Sequence, residues 1–501
     1  MKKTSSINDL PARGARFFAV VLAAAMLASC GGGGGDGGAP LTGLAASSQV
    51  AQRCVAPRPA GTVDQYGQAY GDVQGTAADE KQWVRSWIDE TYLWYQDVRA
   101  LSAAKLNAAN YANAQDYFDA LKSPLTTASG KPKDQFHFIY DTPTWIALSQ
   151  SGASLGYGFE IDLVSAAPPR EVRVTYTNAG TPAAAANVAR GAKIVTIDGV
   201  DVANGSDVAT LNNGLFPATA GTHTFGILDI GAAAPRNVTL TAATLTPLTV
   251  QNVKTLPAPN QAVGYMQFND HLATSEAQLV TAINQLKASG ITDLVLDIRY
   301  NGGGYLDIAS ELAYMIAGPT PTTGKVFEQL SFNDKNPFNL SAAEKITPFH
   351  STAQGFSLPD GQALPTLNLS RVYVLVGSGT CSASEAIVNG LRGVGVTVNL
   401  IGATTCGKPY GFYPTDNCDT TYFAIQFQGV NQLGQGDYAD GFAPTCAAAS
   451  MPSASPETTV WPARPKAVAK RCACSMPCGV HARLPTIASI GVASSSGRPA
   501  T

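Results

Sequence analysis

A serine ahead of Ala-Ser-Glu, with a lysine 26 positions downstream, is the pairing in this chain best suited to chemistry. Ser382 opens Ser382-Ala383-Ser384-Glu385, and Lys408 closes Cys406-Gly407-Lys408. A serine hydroxyl is a weak nucleophile and needs a base. A lysine can be that base only while its amine is neutral, which burial favours by lowering its pKa, and Ser/Lys pairs are one variant of the triad logic. Cys381 is a neighbouring candidate nucleophile, but with eight other cysteines present it reads better as a disulfide partner or a small core residue. His137, in an aromatic run, and His271, ahead of a capped helix, read as structural, and His223, His350 and His481 have no partner motif.

The flanking elements bring both residues to one edge. Residues 371–377 form a short apolar, β-branched run typical of a buried strand, 384–392 have helical composition ending at Gly393, and 396–402 read as a second strand. Strand, helix, strand in that order predicts a right-handed crossover with parallel strands, so Ser382 and Lys408 both follow carboxyl ends. Neighbouring strands lie about 4.8 Å apart, close enough for their loops to touch, and open parallel sheets place their chemistry along this edge. Ser382 also starts a helix, where unpaired N–H groups and the dipole favour a developing negative charge. Capping and the same dipole account for Ser384 and Glu385. Another buried-strand pattern, 293–299, runs into Tyr300-Asn301-Gly302-Gly303-Gly304 before a helical stretch over 306–316. Glycines admit a ligand close to the backbone. One amide from Gly302 or Gly303 and one from Ala383 could form an oxyanion hole, the plain alternative being a tight strand-to-helix turn.

Three ordered segments, Leu296-Asp-Ile-Arg299-Tyr-Asn301-Gly-Gly-Gly304, Ser382-Ala-Ser-Glu385 and Gly407-Lys408, resemble the signature segments of the carboxyl-terminal processing, or tail-specific, serine proteases. The likeness runs from about residue 156 to 444. It implies Ser382 as nucleophile, Lys408 as general base and the glycine loop as oxyanion segment, with no cofactor and no metal. It also implies a glutamine four residues after the lysine to orient it; Phe412 stands there instead. A ring cannot hydrogen-bond an amine, so the expectation is a substitute partner, with Asp416, Asn417 and Glu385 as candidates, or positioning by packing. A second function class stays open on this ground: a non-catalytic peptide-binding lipoprotein on a protease scaffold. A third is acyl chemistry on a small molecule.

Upstream, Leu155-Gly156-Tyr157-Gly158-Phe159, an alternating strand over 173–177, Gly180-Thr-Pro-Ala-Ala-Ala-Ala and Arg190-Gly-Ala-Lys-Ile-Val-Thr-Ile-Asp-Gly199 resemble a PDZ domain of the protease-associated kind. The resemblance implies that Gly156, Tyr157, Gly158 and Phe159 offer amides to a peptide's terminal carboxylate. An exposed strand edge would accept the peptide, and a helix over 181–189 would form the other wall. The partners implied are the C-termini of protein or peptide substrates.

At the start, Lys2, Lys3, Arg13 and Arg16 precede an apolar run over 17–27 that ends in Leu27-Ala-Ser-Cys30, the pattern of a secretory signal. That run is too short to span a bilayer as a helix. Leu-Ala-Ser-Cys is similar to the bacterial lipoprotein cleavage box, which implies lipidation of Cys30, attachment to a membrane and residence in the cell envelope. Gly31 after Cys30 is compatible with outer-membrane sorting, facing the periplasm or the surface. The glycine tract 31–38 reads as a flexible leash continuing to about residue 72. An aromatic stripe through Trp83, Trp87, Ile88, Tyr92 and Trp94 recurs near helical spacing and reads as core. The expected organisation is a signal peptide (1–29), a tether (30–75), a helical N-terminal domain (76–150), a β-rich PDZ-like domain (151–246) and a protease core (247–446). A disordered tail (447–501) would follow. The fold class is α/β, with a crotonase/ClpP-like core and a mainly parallel sheet.

Net charge is -3 and charged residues are 14% of the chain, which points away from nucleic acid. Eight cysteines remain after Cys30, and in an oxidising envelope disulfides are expected; Cys406 and Cys418 flank the lysine and could pin its loop. Residues 451–501 hold six Lys and Arg against one acid, Glu457, whereas the whole chain has 33 against 36. Cys472-x-Cys474-x3-Cys478-x2-His481 in that tail could bind a metal but lacks a second knuckle. Disorder, or a frame-shifted gene end, accounts for the tail better.

Overall fold

The structure is a computed structural model that describes residues 43–165 and 167–447. The signal sequence, Cys30, the glycine tract and the tail with its Cys472 to His481 cluster lie outside the described residues.

The helical region begins with α1 (Ala77–Thr91), whose N-cap Thr76 and Asp79 exchange side chain and backbone hydrogen bonds as a capping box. The stripe on α1 is core, as its spacing suggests. Trp83 and Trp87 stack at 5.3 Å, and α2 (Ala114–Ala120) adds Tyr117 and Phe118 to the same cluster. The leash is shorter than expected. Cys54 is disulfide-bonded to Cys418, and Arg58 pairs with Asp72 (2.7 Å) and Asp416 (2.8 Å), so the chain from residue 43 onward is pinned to the core. After α2, β1 (Phe138–Asp141) pairs antiparallel with residues 420–423, and α3 (Thr142–Ser151) follows it. The N-terminal region is therefore sewn into the core by a ladder as well as by a disulfide.

Next comes an antiparallel sheet of β2 (Phe159–Ser165), β3 (Glu171–Thr177), β4 (Lys193–Ile197), β5 (Thr222–Leu228) and β6 (Arg236–Thr241), in the order β6-β5-β4-β3-β2. The edge strands are β2 and β6. The helix expected over 181–189 is only Pro182–Ala185, because Asn187 takes a left-handed φ of 55° and ends it. A second helix, α4 (Val208–Leu215), lies against β4.

The core sheet runs β7 (Val250–Thr255), β8 (Val263–Phe268), β9 (Asp293–Asp297), β10 (Arg371–Val376), β11 (Thr397–Gly402), then Cys446–Ala447. Only β7 and β8 pair antiparallel; the rest are parallel. Side chains alternate between two apolar faces. Leu294, Leu296, Val372, Val374 and Leu400 meet α5 (Ser275–Ala288), α6 (Leu306–Ala317) and α7 (Ala383–Gly393), while Val295, Tyr373, Leu375 and Ile401 form a cluster on the opposite face. Asp297 pairs with Leu375 and Leu375 with Ile401, so three neighbouring strands end at one level.

Two carboxyl groups are buried between α5 and the loop that covers it. Glu276 accepts the amides of Gln354 (2.8 Å), Ser357 (2.6 Å) and Leu358 (2.7 Å), and Glu311 also accepts from Gln354 (2.9 Å). Burial, then the neighbouring Glu276, pushes the Glu311 carboxyl up to about 9. The unfolded chain releases this proton at about pH 4.3. The folded state therefore holds an extra proton between that pH and about 9, and stability falls as pH rises across this window. We expect melting temperature to decline from pH 5 to pH 9, and Glu311→Gln to flatten the decline by several degrees, as read by calorimetry.

Candidate active site

Three loops leave the carboxyl ends of β9, β10 and β11, and buried polar groups fix each of them. Asp297, at the end of β9, accepts a bidentate pair from Arg299 (2.8 and 2.6 Å) and the Tyr265 hydroxyl (2.6 Å). Breaking a buried ion pair leaves an uncompensated charge, so this strand end is held in place. Asn301 is fully buried and organises the next turn. Its Nδ2 donates to Phe268 O (3.1 Å), and its Oδ1 accepts from Gly303 N–H (3.0 Å) and His271 Nδ1–H (2.9 Å). Its carbonyl accepts from Cys381 N–H (3.1 Å) and Ser384 Oγ (3.0 Å). His271 is structural: burial pushes it down to about 4, so it is neutral at ordinary pH.

Gly303 has φ +103°, and a Cβ there would lie 2.8 Å from Ser382 Cβ, so only glycine lets the two loops meet. This contact corrects part of the oxyanion expectation. The Gly303 amide is engaged by Asn301, which leaves Gly302 and Ala383 as the amides without a partner among the described residues. Ser382 itself has φ 55° and ψ -120° and is half-buried. A non-glycine residue held there costs on the order of 1–3 kcal/mol and persists only where its surroundings determine it.

Glu385 supplies much of that determination. Fully buried, its carboxylate accepts the amides of Ser382 (3.1 Å), Gly407 (3.0 Å) and Lys408 (2.8 Å) and the Thr405 hydroxyl. Burial pushes its carboxyl up, and these donors oppose the shift. A covalent bond runs alongside: Cys381 and Cys406 form a disulfide with Cα atoms 5.2 Å apart. Cys381 is thus not a free nucleophile, and Cys406 and Cys418 do not pair with each other. The residue before the serine is joined to the residue two before the lysine. Gly407, at φ +90°, must be glycine because a Cβ would meet Ala439 O at 2.2 Å.

The Lys408 side chain lies in an apolar pocket. Burial pushes its amine down to about 8, opposed by the charges of Asp134 and Glu385. None of the three residues considered as substitutes for the missing glutamine binds this amine. Asp416 pairs with Arg58 and Thr142, Asn417 accepts from Gln52 N–H, and Glu385 reaches only the Lys408 backbone. Among the described residues Nζ has no hydrogen-bond acceptor; it lies 4.0 Å from the Phe412 ring centre and 5.1 Å from that of Phe136. Sequence reasoning missed Asn301, Thr405 and Phe136. Asn301 was legible as a buried polar residue inside the glycine segment, but nothing local marks Phe136, which arrives from the N-terminal region.

Between the short strand Ser154–Gly156 and β2, Tyr157 O accepts Ala183 N–H (2.9 Å) and Gly158 O accepts Asn178 N–H (2.7 Å). The amides of Tyr157 and Gly158 have no partner among the described residues, and Phe159 opens the edge strand. The turn Pro182–Ala185 braces this loop from below: Thr181 fills the space beside Gly158. This region meets the glycine loop where Arg190 donates to the Tyr300 hydroxyl (2.9 Å) and Tyr176 packs on the Tyr300 ring (5.9 Å).

Residues 262–434 match peptidase family S41, and residues 79–136 match the peptidase S41 N-terminal domain. A carboxyl-terminal-processing protease of Picosynechococcus is 27% identical over 270 residues, 52% of this chain and 56% of the relative. One of Synechocystis is 26% identical over 268 residues, 52% of this chain and 55% of the relative. The chain thus spans little more than half the length of these relatives. A protein of Bacteroides fragilis NCTC 9343 assigned to the S41 proteases has a crystal structure with TM-score 0.56 and 22% identity, covering 75% of this chain and 90% of that one; the likeness is one of fold.

If Glu385 and the disulfide hold the two loops together, loosening either should impair turnover more than binding. We expect Glu385→Ala to lower kcat on the order of 10²-fold, the usual cost of an ångström-scale misplacement. Reduction by a dithiol, or the paired substitution Cys381→Ala and Cys406→Ala, should cost less. Steady-state cleavage of a fluorescently labelled unfolded protein checks both, with KM changing little.

Proposed function

We propose that the chain, which matches peptidase family S41 over residues 262–434 and the S41 N-terminal domain over residues 79–136, is a serine endopeptidase acting on protein substrates near their C-termini. Ser382 is the nucleophile and Lys408 the general base. The observation that carries this reading is the strained Ser382 at a helix start, tied through Glu385 and a disulfide to the loop of a desolvated lysine.

In the acylation step, neutral Lys408 Nζ takes the Ser382 hydroxyl proton as Oγ bonds to the scissile carbonyl carbon. The carbonyl electron pair moves onto oxygen, beside the amides of Gly302 and Ala383. As the tetrahedral species collapses, the C–N bond breaks and the Lys408 ammonium returns the proton to the leaving amine. Water then repeats the sequence on the acyl-enzyme.

Two finer features belong to the same proposal. The free amides of Tyr157 and Gly158, beside an edge strand, suit a peptide's terminal carboxylate and an added β-strand, as in PDZ recognition on a crotonase/ClpP-like core. The Leu-Ala-Ser-Cys30 segment would place the enzyme on a lipid anchor in the cell envelope, supported by sequence alone.

A fluorophosphonate probe followed by peptide mapping tests the catalytic part. We expect label on Ser382, and loss of labelling and proteolysis by on the order of 10³-fold or more in Ser382→Ala and Lys408→Ala. A folded parent that takes no label would favour the peptide-binding scaffold. For the recognition part, amidating the C-terminus of a peptide substrate should raise KM with little change in kcat.

A further inference from the structure

We propose that Phe412 and Phe136 are positioning residues for the base: their rings seat Lys408 Nζ and stabilise the ammonium that forms when it takes the Ser382 proton. This rests on the catalytic reading above and supplies what that reading lacks, a group that holds the lysine.

The geometry is specific. Nζ lies 4.0 Å from the Phe412 ring centre and 5.1 Å from that of Phe136, both within cation–π range. It has no hydrogen-bond acceptor among the described residues, and the two ring faces are contacts that it does make. Phe412 is itself fixed, meeting Phe138 at 5.6 Å and 81° and Phe423 at 5.2 Å and 76°, while Phe138 stacks on Phe423 at 4.4 Å. The Phe136 backbone is anchored by its amide, which donates to Asp134 (2.9 Å). The charged groups that act on the amine are Asp134, from the N-terminal region, and Glu385, from the serine helix. Both are occupied elsewhere: Asp134 by the Tyr92 hydroxyl and His137, Glu385 by backbone amides and Thr405.

The chemistry follows from what a ring face attracts. Its quadrupole draws a cation strongly and a neutral amine weakly. A hydrogen-bond acceptor would hold both forms, whereas the rings favour the charged one, which appears as the proton moves. Relative to the neutral amine that starts the step, this attraction favours the ammonium and so lowers the barrier to proton transfer. Because Phe136 lies between α2 and β1, the N-terminal region completes the active site.

The test grades the ring charge without changing its shape. Phe412 is replaced by mono-, di- and pentafluorophenylalanine, and the rate of fluorophosphonate labelling at Ser382 is measured against pH, with Phe136→Leu as a separate variant. We expect the rate to fall progressively with fluorination, to about a tenth at the end of the series. The midpoint of the pH profile should move downward as the ammonium loses stabilisation, in variants that remain folded by their melting transition. Phe136→Leu should show a smaller effect in the same direction. A flat series, in a parent that labels normally, overturns the ring assignment and leaves the Ser382 and Lys408 reading intact. A parent that does not label at Ser382 overturns both.

Discussion

To serve as a base, Lys408 has to sit where water solvates an ammonium poorly, and the loops and rings around it answer to that constraint. A free lysine amine is almost wholly protonated at neutral pH and useless as a base. Burial beneath Phe136 and Phe412 brings it down to about 8, at which an appreciable neutral fraction exists. The desolvation that makes the base also deprives it of partners, so something other than water must hold it. Aromatic faces are compatible with both requirements, being apolar in bulk and attractive to a cation.

A base so placed is useful only if the serine loop is held to the lysine loop. Parallel strands β10 and β11 deliver the two loops to one edge, but sheet geometry alone leaves loops free to move. Glu385 and the Cys381–Cys406 disulfide remove that freedom by different physics, one through amides converging on a carboxylate, the other through a covalent bond. A buried carboxylate is costly without donors, and here three amides and a hydroxyl offset the cost. The same turn keeps Ser382 at a positive φ and leaves the amide of Ala383 without a partner among the described residues. Strain at Ser382 and order around it are two sides of one arrangement.

Much of this was legible in the sequence because it depends on local patterns. The apolar runs at 293–299, 371–377 and 396–402 became adjacent strands within two residues at each end, and the serine and lysine loops followed from their order. Contacts between distant segments were not legible. Nothing in residues 43–75 announces that Cys54 meets Cys418, or that Arg58 reaches Asp72 and Asp416, so an ordered strap read as a leash. The helix that the resemblance implied at 181–189 is shorter, because Asn187 in the left-handed region stops it. Phe412 was recognised as a departure, but its partner Phe136 lies far off in the chain, joined to it by tertiary packing that no periodicity encodes.

The central claim is that Lys408 carries a depressed pKa in the resting protein, before any substrate arrives. Lysine labelled with carbon-13 at Cε reports this directly by nuclear magnetic resonance, with the Lys408 signal identified by its loss in Lys408→Met. The account predicts a titration midpoint near 8. A midpoint at the ordinary 10.5 would contradict it, because the amine would then be solvated and almost wholly protonated at neutral pH.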